Sequence, residues 1–304
     1  MNLNWKVKAL IHNILSITPY GGHINYFLQR YVTKLYSEAS MFHSYSIQVD
    51  HITLVNERRS LRDSTILEIG PGCFSISGLI FFLLDVKKQI IVDISRNLKH
   101  DLILRYSKVI LKNIDKVASD LTISKKVIFE KLTKVASTKN LDQYLESINC
   151  QYNAPLDIRN LALPQHSVDL VYSYRVLEHI PKSIIVQLFS DSLKYLKSNG
   201  RHYHNIVLHD HFHNAGLGNG VNFLKYSPIQ WKLIAGNRFA YHNRLRKSDY
   251  IKILMELGYK ITYRADELLE LNIEALEKIK VYSDFLSYDR TDLAYSALYV
   301  LCEK

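Results

Sequence analysis

The sequence predicts an α/β protein built on a mostly parallel sheet with helices on both faces, and three observations predict it. Strand-length apolar runs alternate with helix-length segments through the middle of the chain. The run Ile66-Leu-Glu-Ile-Gly-Pro-Gly72 contains an acid, turns through two closely spaced glycines and enters an apolar, helix-like segment. A second run, Gln89-Ile-Ile-Val-Asp93, ends on another acid 21 positions after Gly72. This arrangement suits a nucleoside. The glycines let the backbone approach the ligand, and the acid ending the second strand accepts hydrogen bonds from ribose hydroxyls.

The elements follow in order. Residues 5–18 and 24–40 read as helices separated by a Pro19-Tyr-Gly-Gly22 break. Strands are expected at 64–69 and 89–94, with a helix at 74–84 between them. Residues 96–150 lack glycine and proline and form a long helical crossover. The sheet resumes at 151–155 and at 168–174. A helix over 182–197 stops at Ser198-Asn-Gly200, and a fifth strand covers 202–208. A second insertion, 209–245, is rich in His, Asn, Gly and aromatics. A helix at 248–257, a strand at 259–263 and a last strand at 294–301 complete the chain.

Bulk composition narrows the function. The 304 residues fit one large domain with insertions, and 47% hydrophobic content is ample for a core. The apolar run Ile76–Leu84 is too short to span a bilayer. Near the N-terminus, His12 and Asn13 interrupt the apolar block, so the segment reads as an amphipathic surface helix rather than a signal peptide. Cys73, Cys150 and Cys302 are odd in number and widely spaced. They form neither a metal pattern nor a disulfide framework, which suits a reducing cytoplasm. The net charge of +10 favours anionic partners, including phosphorylated sugars, nucleic acid or a peripheral membrane surface; a solvated surface explains it equally well. No interleaving of aromatic and basic residues marks an RNA-binding face, so nucleic acid is disfavoured.

The acids discriminate between cofactors. In Gly70-Pro-Gly72-Cys-Phe74-Ser75 a serine stands where a dinucleotide loop carries its third glycine. Glu68 would repel a diphosphate and attract an ammonium or sulfonium. Leu67-Glu-Ile-Gly-Pro-Gly72 resembles the first motif of class I S-adenosylmethionine (SAM) methyltransferases. Asp157, the stretch to Ser173-Tyr174 and the block Val176-Leu-Glu-His-Ile180 resemble that family's later motifs, in the same order. The resemblance covers roughly residues 64–208, with a looser match to the end. Phe74 departs from the family's Gly-x-Gly-x-Gly pattern.

The resemblance implies a Rossmann-like, seven-stranded sheet whose last strand is antiparallel. It divides the chain into an N-terminal helical cap over 1–45 and a methyltransferase domain over 46–304. It implies SAM as cofactor, with Glu68 orienting the loop and the methionine ammonium, and Gly70 and Gly72 lying against the ligand. Asp93 would hold the ribose, Asp157 and the backbone of Ile158 the adenine, and Ser173 and Tyr174 would line the methionine end. Two competing readings stay open: Asp93 as a helix N-cap, and Asp157 as a turn acid paired with Arg159. The N-terminal helices, with Tyr20 and Gln29, would close over the cofactor.

Methyl transfer asks the protein to align the acceptor, exclude water and, for an oxygen nucleophile, remove a proton. Glu178-His179 offers a base in His179, or simply a helix-start histidine held by Glu178. His209-Asp-His-Phe-His213 offers Asp210 or His211, paired as carboxylate and imidazole. In an extended segment His209, His211 and His213 share a face, but without a defined surrounding shell no metal is assigned and the segment reads as a substrate-contacting loop. Arg244 and Arg246 would clamp an anionic group of the substrate, or salt-bridge locally. The aromatics of Asn222–Trp231 serve a lid or an ordinary hydrophobic contact.

The expected function is SAM-dependent methylation of a small-molecule or glycan acceptor, at oxygen before nitrogen or carbon. The second insertion resembles methyltransferases associated with bacterial surface-polysaccharide synthesis. The competing functions are RNA or protein methylation and a non-catalytic partner subunit. Ser173-Tyr-Arg-Val176, in place of an Asn-Pro-Pro-Tyr-like tetrapeptide, weighs against base N-methylation. Intact Glu68, Gly70, Gly72 and Asp93 weigh against a scaffold.

Overall fold

A computed structural model describes residues 4–215 and 219–304. The chain begins with α1 (Trp5–Ile17), α2 (Gly21–Phe27) and α3 (Glu38–Arg58), followed by β1 (Thr65–Ile69), α4 (Ile76–Leu83) and β2 (Lys88–Val92). The crossover holds α5 (His100–Lys112), α6 (Ile114–Leu121), α7 (Lys125–Ala136) and α8 (Leu141–Ser147), leading to β3 (Cys150–Asn153). Then come β4 (Val168–Tyr174), α9 (Lys182–Tyr195), β5 (Leu196–Val207), α10 (Pro228–Ala235), α11 (Lys247–Glu256), β6 (Lys260–Leu268), α12 (Glu270–Lys278), α13 (Arg290–Ala294) and β7 (Tyr295–Glu303).

Among the described residues the seven strands make one sheet in the order β3-β2-β1-β4-β5-β7-β6. β1 pairs in parallel with β2 and β4, placing Ile69 beside Val92 and Ser173, and β2 pairs in parallel with β3. β5 continues the parallel set: the Ser167 amide donates to Tyr195 O and the Arg175 amide to Asn205 O, so both registers advance together. β7 runs the other way. Leu208 N donates to Ser296 O, and Lys304 N donates to Gly200 O at the opposite end. The side-chain bonds from Thr262 to Leu301 O and from Ser296 to Glu267 O show the same inversion between β6 and β7. This is the mostly parallel sheet expected from the sequence, with the antiparallel last strand that the resemblance implied.

The chain resolves into two compact units. One comprises Met1–Leu28, Arg175–Ser190 and His204–Cys302; the other comprises Gln29–Tyr174, Asp191–Tyr203 and Glu303–Lys304. In the second unit β1 and β2 bury Ile66, Leu67, Ile69, Ile90, Ile91 and Val92. α5 turns Leu102, Ile103, Tyr106, Val109 and Ile110 inward at helical spacing. Asp169 ties the starts of strands together, accepting from Thr65 N at 2.8 Å and from the Lys197 ammonium at 2.7 Å.

The first unit has a separate apolar cluster. Phe212, Val221, Phe223, Leu224 and Trp231 from the second insertion pack with Leu276, Phe285 and Leu293. Ser227 and Gln230 cap α10 reciprocally, with Pro228 at its first position. α1 buries Ala9 and Leu15 and exposes Val7, Leu10, Ile14 and Ile17. No helix among the described residues is long and apolar enough to cross a membrane.

Three expectations about elements are corrected. The helix expected over 24–40 is shorter: α2 passes through a π-turn at Leu28–Val32, and Ser37, accepting from Ser40 N, caps the start of α3. α3 then runs through residue 45. Ser198-Asn-Gly200 ends no helix but lies inside β5, because Gly200 O is paired with the last strand and Asn199 O with the Arg59 guanidinium. Ladder pairing overrides the local turn preference of Asn-Gly there. α12, between β6 and β7, has no counterpart in the sequence reading; its Ala275 and Leu276 belong to the apolar cluster of its unit.

Candidate functional site

The first group of site residues lies within one unit, on the loops that leave β1, β2 and β3. Gly70 and Gly72 have φ of 68° and 70°, a region that glycine enters without a Cβ clash. A Cβ placed on Gly72 would meet nothing within 4 Å, so the loop borders open space there. Gly70 N donates to Val92 O at 2.9 Å, and Lys99 N donates to Cys73 O at 2.8 Å. Leu156 N donates to Asp93 O at 2.9 Å. These backbone bonds lock together the three loops that the resemblance assigned to methionine, ribose and adenine.

Glu68 is buried in β1 and takes a hydrogen bond from the Ser77 hydroxyl, while its Oε2 has no hydrogen-bond partner in the structure. Burial pushes its carboxyl up to about 7, with the Ser77 bond opposing. Asp93 accepts from Ser95 N at 2.9 Å and lies 3.3 Å from the Asn97 amide. Burial raises its pKa, and these bonds hold it down. Asn97 N in turn donates to the Tyr152 hydroxyl at 3.0 Å. Phe74, where the family pattern has glycine, packs edge-on against Tyr36 and Tyr106 with centroids 6.0 and 5.4 Å away. The Tyr36 hydroxyl reaches both Gln29 Oε1 at 2.9 Å and Cys73 Sγ at 3.4 Å, so Gln29 is joined to the glycine loop. Tyr20 is exposed.

Asp157 takes the form of the competing reading. It accepts from Arg159 N and Nε, both at 3.0 Å, and from Nη2 at 2.6 Å. That pairing holds its carboxyl below the usual range. Ile158 opens the short 3-10 turn that Asp157 caps. Ser173 is fully buried at the end of β4, and Tyr174 packs its ring 5.8 Å from His51.

The second group lies in the other unit, on the segments that follow β4 and β5. Leu177–His179 form one 3-10 turn. His179 Nδ1 lies 2.7 Å from Tyr241 O, and the His179 ring sits edge-on to His211 at 4.9 Å. His211 meets His242 at 4.9 Å and His209 at 6.1 Å. Burial depresses His211 to about 3, so it is neutral. Glu178 is fully buried and its carboxyl is pushed up to about 8. Ligand atoms of Glu178, His179 and His211 lie within 4.8 Å of one another.

This grouping differs from the sequence expectation in three ways. Residues 209–215 bend and enter a 3-10 turn rather than running extended, so His209, His211 and His213 do not share a strand face. Asp210 is buried with its Oδ1 accepting from Phe212 N at 2.8 Å. Burial raises it to about 6, opposed by Asn222, the Phe223 amide and, through space, the Lys8 ammonium. It therefore braces its own loop instead of pairing with His211.

The third difference concerns the two arginines. Arg244 donates to Phe223 O at 3.2 Å and Tyr226 O at 2.6 Å. Arg246, fully buried, donates to Leu208 O at 2.6 Å, Tyr295 O at 2.9 Å and Leu293 O at 3.3 Å. Both guanidiniums donate to backbone carbonyls of loops and element ends, so the expected anion clamp is replaced by an internal brace. Asn243, which the sequence reading passed over, fixes the 177–180 turn through Leu177 O and Ile180 O, each at 2.8 Å.

The strand number, the parallel pairing and the inverted last strand are those the resemblance implied. No protein-family model matches the chain, and no curated protein matches it. Solved structures do. A SAM-dependent methyltransferase from Mesorhizobium loti is 14% identical, with 80% of this chain and 92% of that one covered and a TM-score of 0.43. Geranyl diphosphate C-methyltransferase from Streptomyces coelicolor A3(2), solved with Mg2+, geranyl diphosphate and S-adenosyl-L-homocysteine, is 11% identical, covering 88% and 82%, with a TM-score of 0.49. A SAM-dependent methyltransferase from Leishmania major is 13% identical, covering 98% and 82%, with a TM-score of 0.45.

Proposed function

We propose that the chain is a SAM-dependent methyltransferase that methylates a hydroxyl of a small-molecule or glycan acceptor. The observation that carries this reading is the loop after β1: a positive-φ glycine facing open space, with Glu68 before it and the Asp93 loop bonded alongside. Buried Glu68, with one oxygen unpartnered, suits the ammonium of a methionine moiety, and Asp93 suits a ribose diol. SAM supplies a methyl already activated on a sulfonium. What remains for the protein is to position the acceptor oxygen in line, keep water out and take the hydroxyl proton.

The segments that follow β4 and β5 carry the candidate bases. His179 is the better base on those segments. Tyr241 O holds its Nδ1–H, leaving Nε2 as the acceptor, whereas His211 is too weakly basic. The two arginines being engaged elsewhere favours a neutral hydroxyl acceptor over an anionic group. The reading is tested by calorimetric titration with SAM and a labelled-methyl transfer assay. Asp93→Ala is expected to weaken SAM binding by about 1–3 kcal/mol, roughly 5- to 150-fold. Absence of SAM binding to the unaltered protein would overturn the reading.

A further inference from the structure

The cluster formed by Glu178, His179 and His211 does more than supply a base. It unites two imidazoles and a carboxylate, the donor set that borderline divalent metals prefer, from two loops about thirty residues apart in sequence. We propose that these three side chains form a binding site for a divalent first-row transition metal ion such as Zn2+, with water completing the coordination.

Three features carry the proposal. First, the donor atoms already lie within 4.8 Å of one another. A tetrahedral centre with bonds of about 2.0–2.1 Å needs them roughly 3.4 Å apart, so side-chain rotation of about an ångström closes the site. Second, His179 has the outer partner that metal-bound histidines use. Its Nδ1 at 2.7 Å from Tyr241 O fixes the proton on Nδ1 and leaves Nε2 free to coordinate. The Tyr241 carbonyl is positioned by its own chain: Asn243 N donates to Glu178 O at 2.9 Å, tying the two segments together.

Third, Glu178 is a fully buried carboxyl with no cationic side chain bonded to it. With neither of its oxygens hydrogen-bonded, a bound cation would supply the partner this carboxyl lacks. His242 itself is not a ligand, because its Nδ1 accepts from Arg244 N at 3.0 Å and its Nε2 therefore carries the proton. His179 is exposed and His211 half-buried, which leaves a solvent route to the ion and an open coordination position. His179 Nε2 would thus act as the base only in the ion-free protein; with an ion seated there Nε2 coordinates it, and a water of lowered pKa on the ion would take over proton removal.

The site is tested without cofactor or acceptor, so its failure is separate from failure of the methyl-transfer reading. Untagged full-length protein, stripped with chelator, is titrated with Zn2+ by calorimetry and with Co2+ by visible absorption. One equivalent is expected, with a ligand-field spectrum of low coordination number. His211→Ala and His179→Ala should each weaken binding at least about 100-fold. Glu178→Gln, which keeps the side chain's shape, should do the same, and His213→Ala should leave binding unchanged. Circular dichroism of each chelator-treated variant verifies folding. No binding by the unaltered protein, or binding indifferent to both His211→Ala and Glu178→Gln, would overturn the proposal.

Discussion

His179 Nδ1 lies 2.7 Å from the backbone oxygen of Tyr241, a residue 62 positions later in the chain. One hydrogen bond thus fixes the tautomer of an exposed imidazole and leaves Nε2 as its reactive atom. In the methyl-transfer reading, His179→Ala should reduce kcat by about 10²–10⁴-fold with SAM affinity little changed. Steady-state kinetics beside SAM calorimetry measures both. An unchanged kcat would remove His179 from the role of base.

Gly72 separates binding from folding. Alanine at φ of 70° costs about 1–2 kcal/mol of backbone strain, but its methyl meets no protein atom. Gly72→Ala should therefore lower the melting temperature by a few degrees, the size of that strain. Its SAM affinity should fall at least tenfold, beyond anything strain explains. Equal affinities in the two proteins would show that the open space beside Gly72 is not where the cofactor lies.

Arg246 distinguishes a brace from a clamp. Arg246→Met removes the donors for three buried carbonyls and should destabilise the fold by about 3 kcal/mol, read from urea unfolding. The acceptor KM should be unaffected in whatever fraction remains folded. Ordinary unfolding combined with a raised KM would restore the anion clamp.

Glu68 makes stability depend on pH in the direction opposite to a salt-bridged acid. Its folded pKa of about 7 lies above the ordinary 4.5. Between those values the folded state keeps a proton that the unfolded state has lost, so stability falls as pH rises from about 4.5 to 7 and levels off above. The contribution is on the order of 3 kcal/mol. Denaturant melts at several pH values should show this slope reduced in Glu68→Gln. A slope unchanged by that substitution would show that Glu68 titrates as an ordinary acid.

Much of the sheet was legible in the chain because its signals are local. Thr65–Ile69 and Lys88–Val92 are short apolar runs ending in turn chemistry, and α5 declares itself by inward residues at helical spacing. Gly70 and Gly72 were legible because only glycine takes those φ values without cost. The strand through Ser198-Asn-Gly200 was not legible, because what holds it extended is pairing with residues a hundred positions away. Nor was α12, whose place is set by packing against the insertion's aromatics rather than by its own caps.

The sequence alone determined the elements, their alternation and the two acid-bearing turns, since each follows from backbone preference and hydrophobic period within a dozen residues. Only the tertiary structure decided what the isolated polar residues do. Asp157 turned to Arg159, and Asp210, Arg244 and Arg246 turned inward to satisfy backbone groups of irregular loops. It also drew His211 beside Glu178 and His179. A buried charge takes whatever partner the folded chain brings near, and nothing in the order of residues specifies that partner in advance.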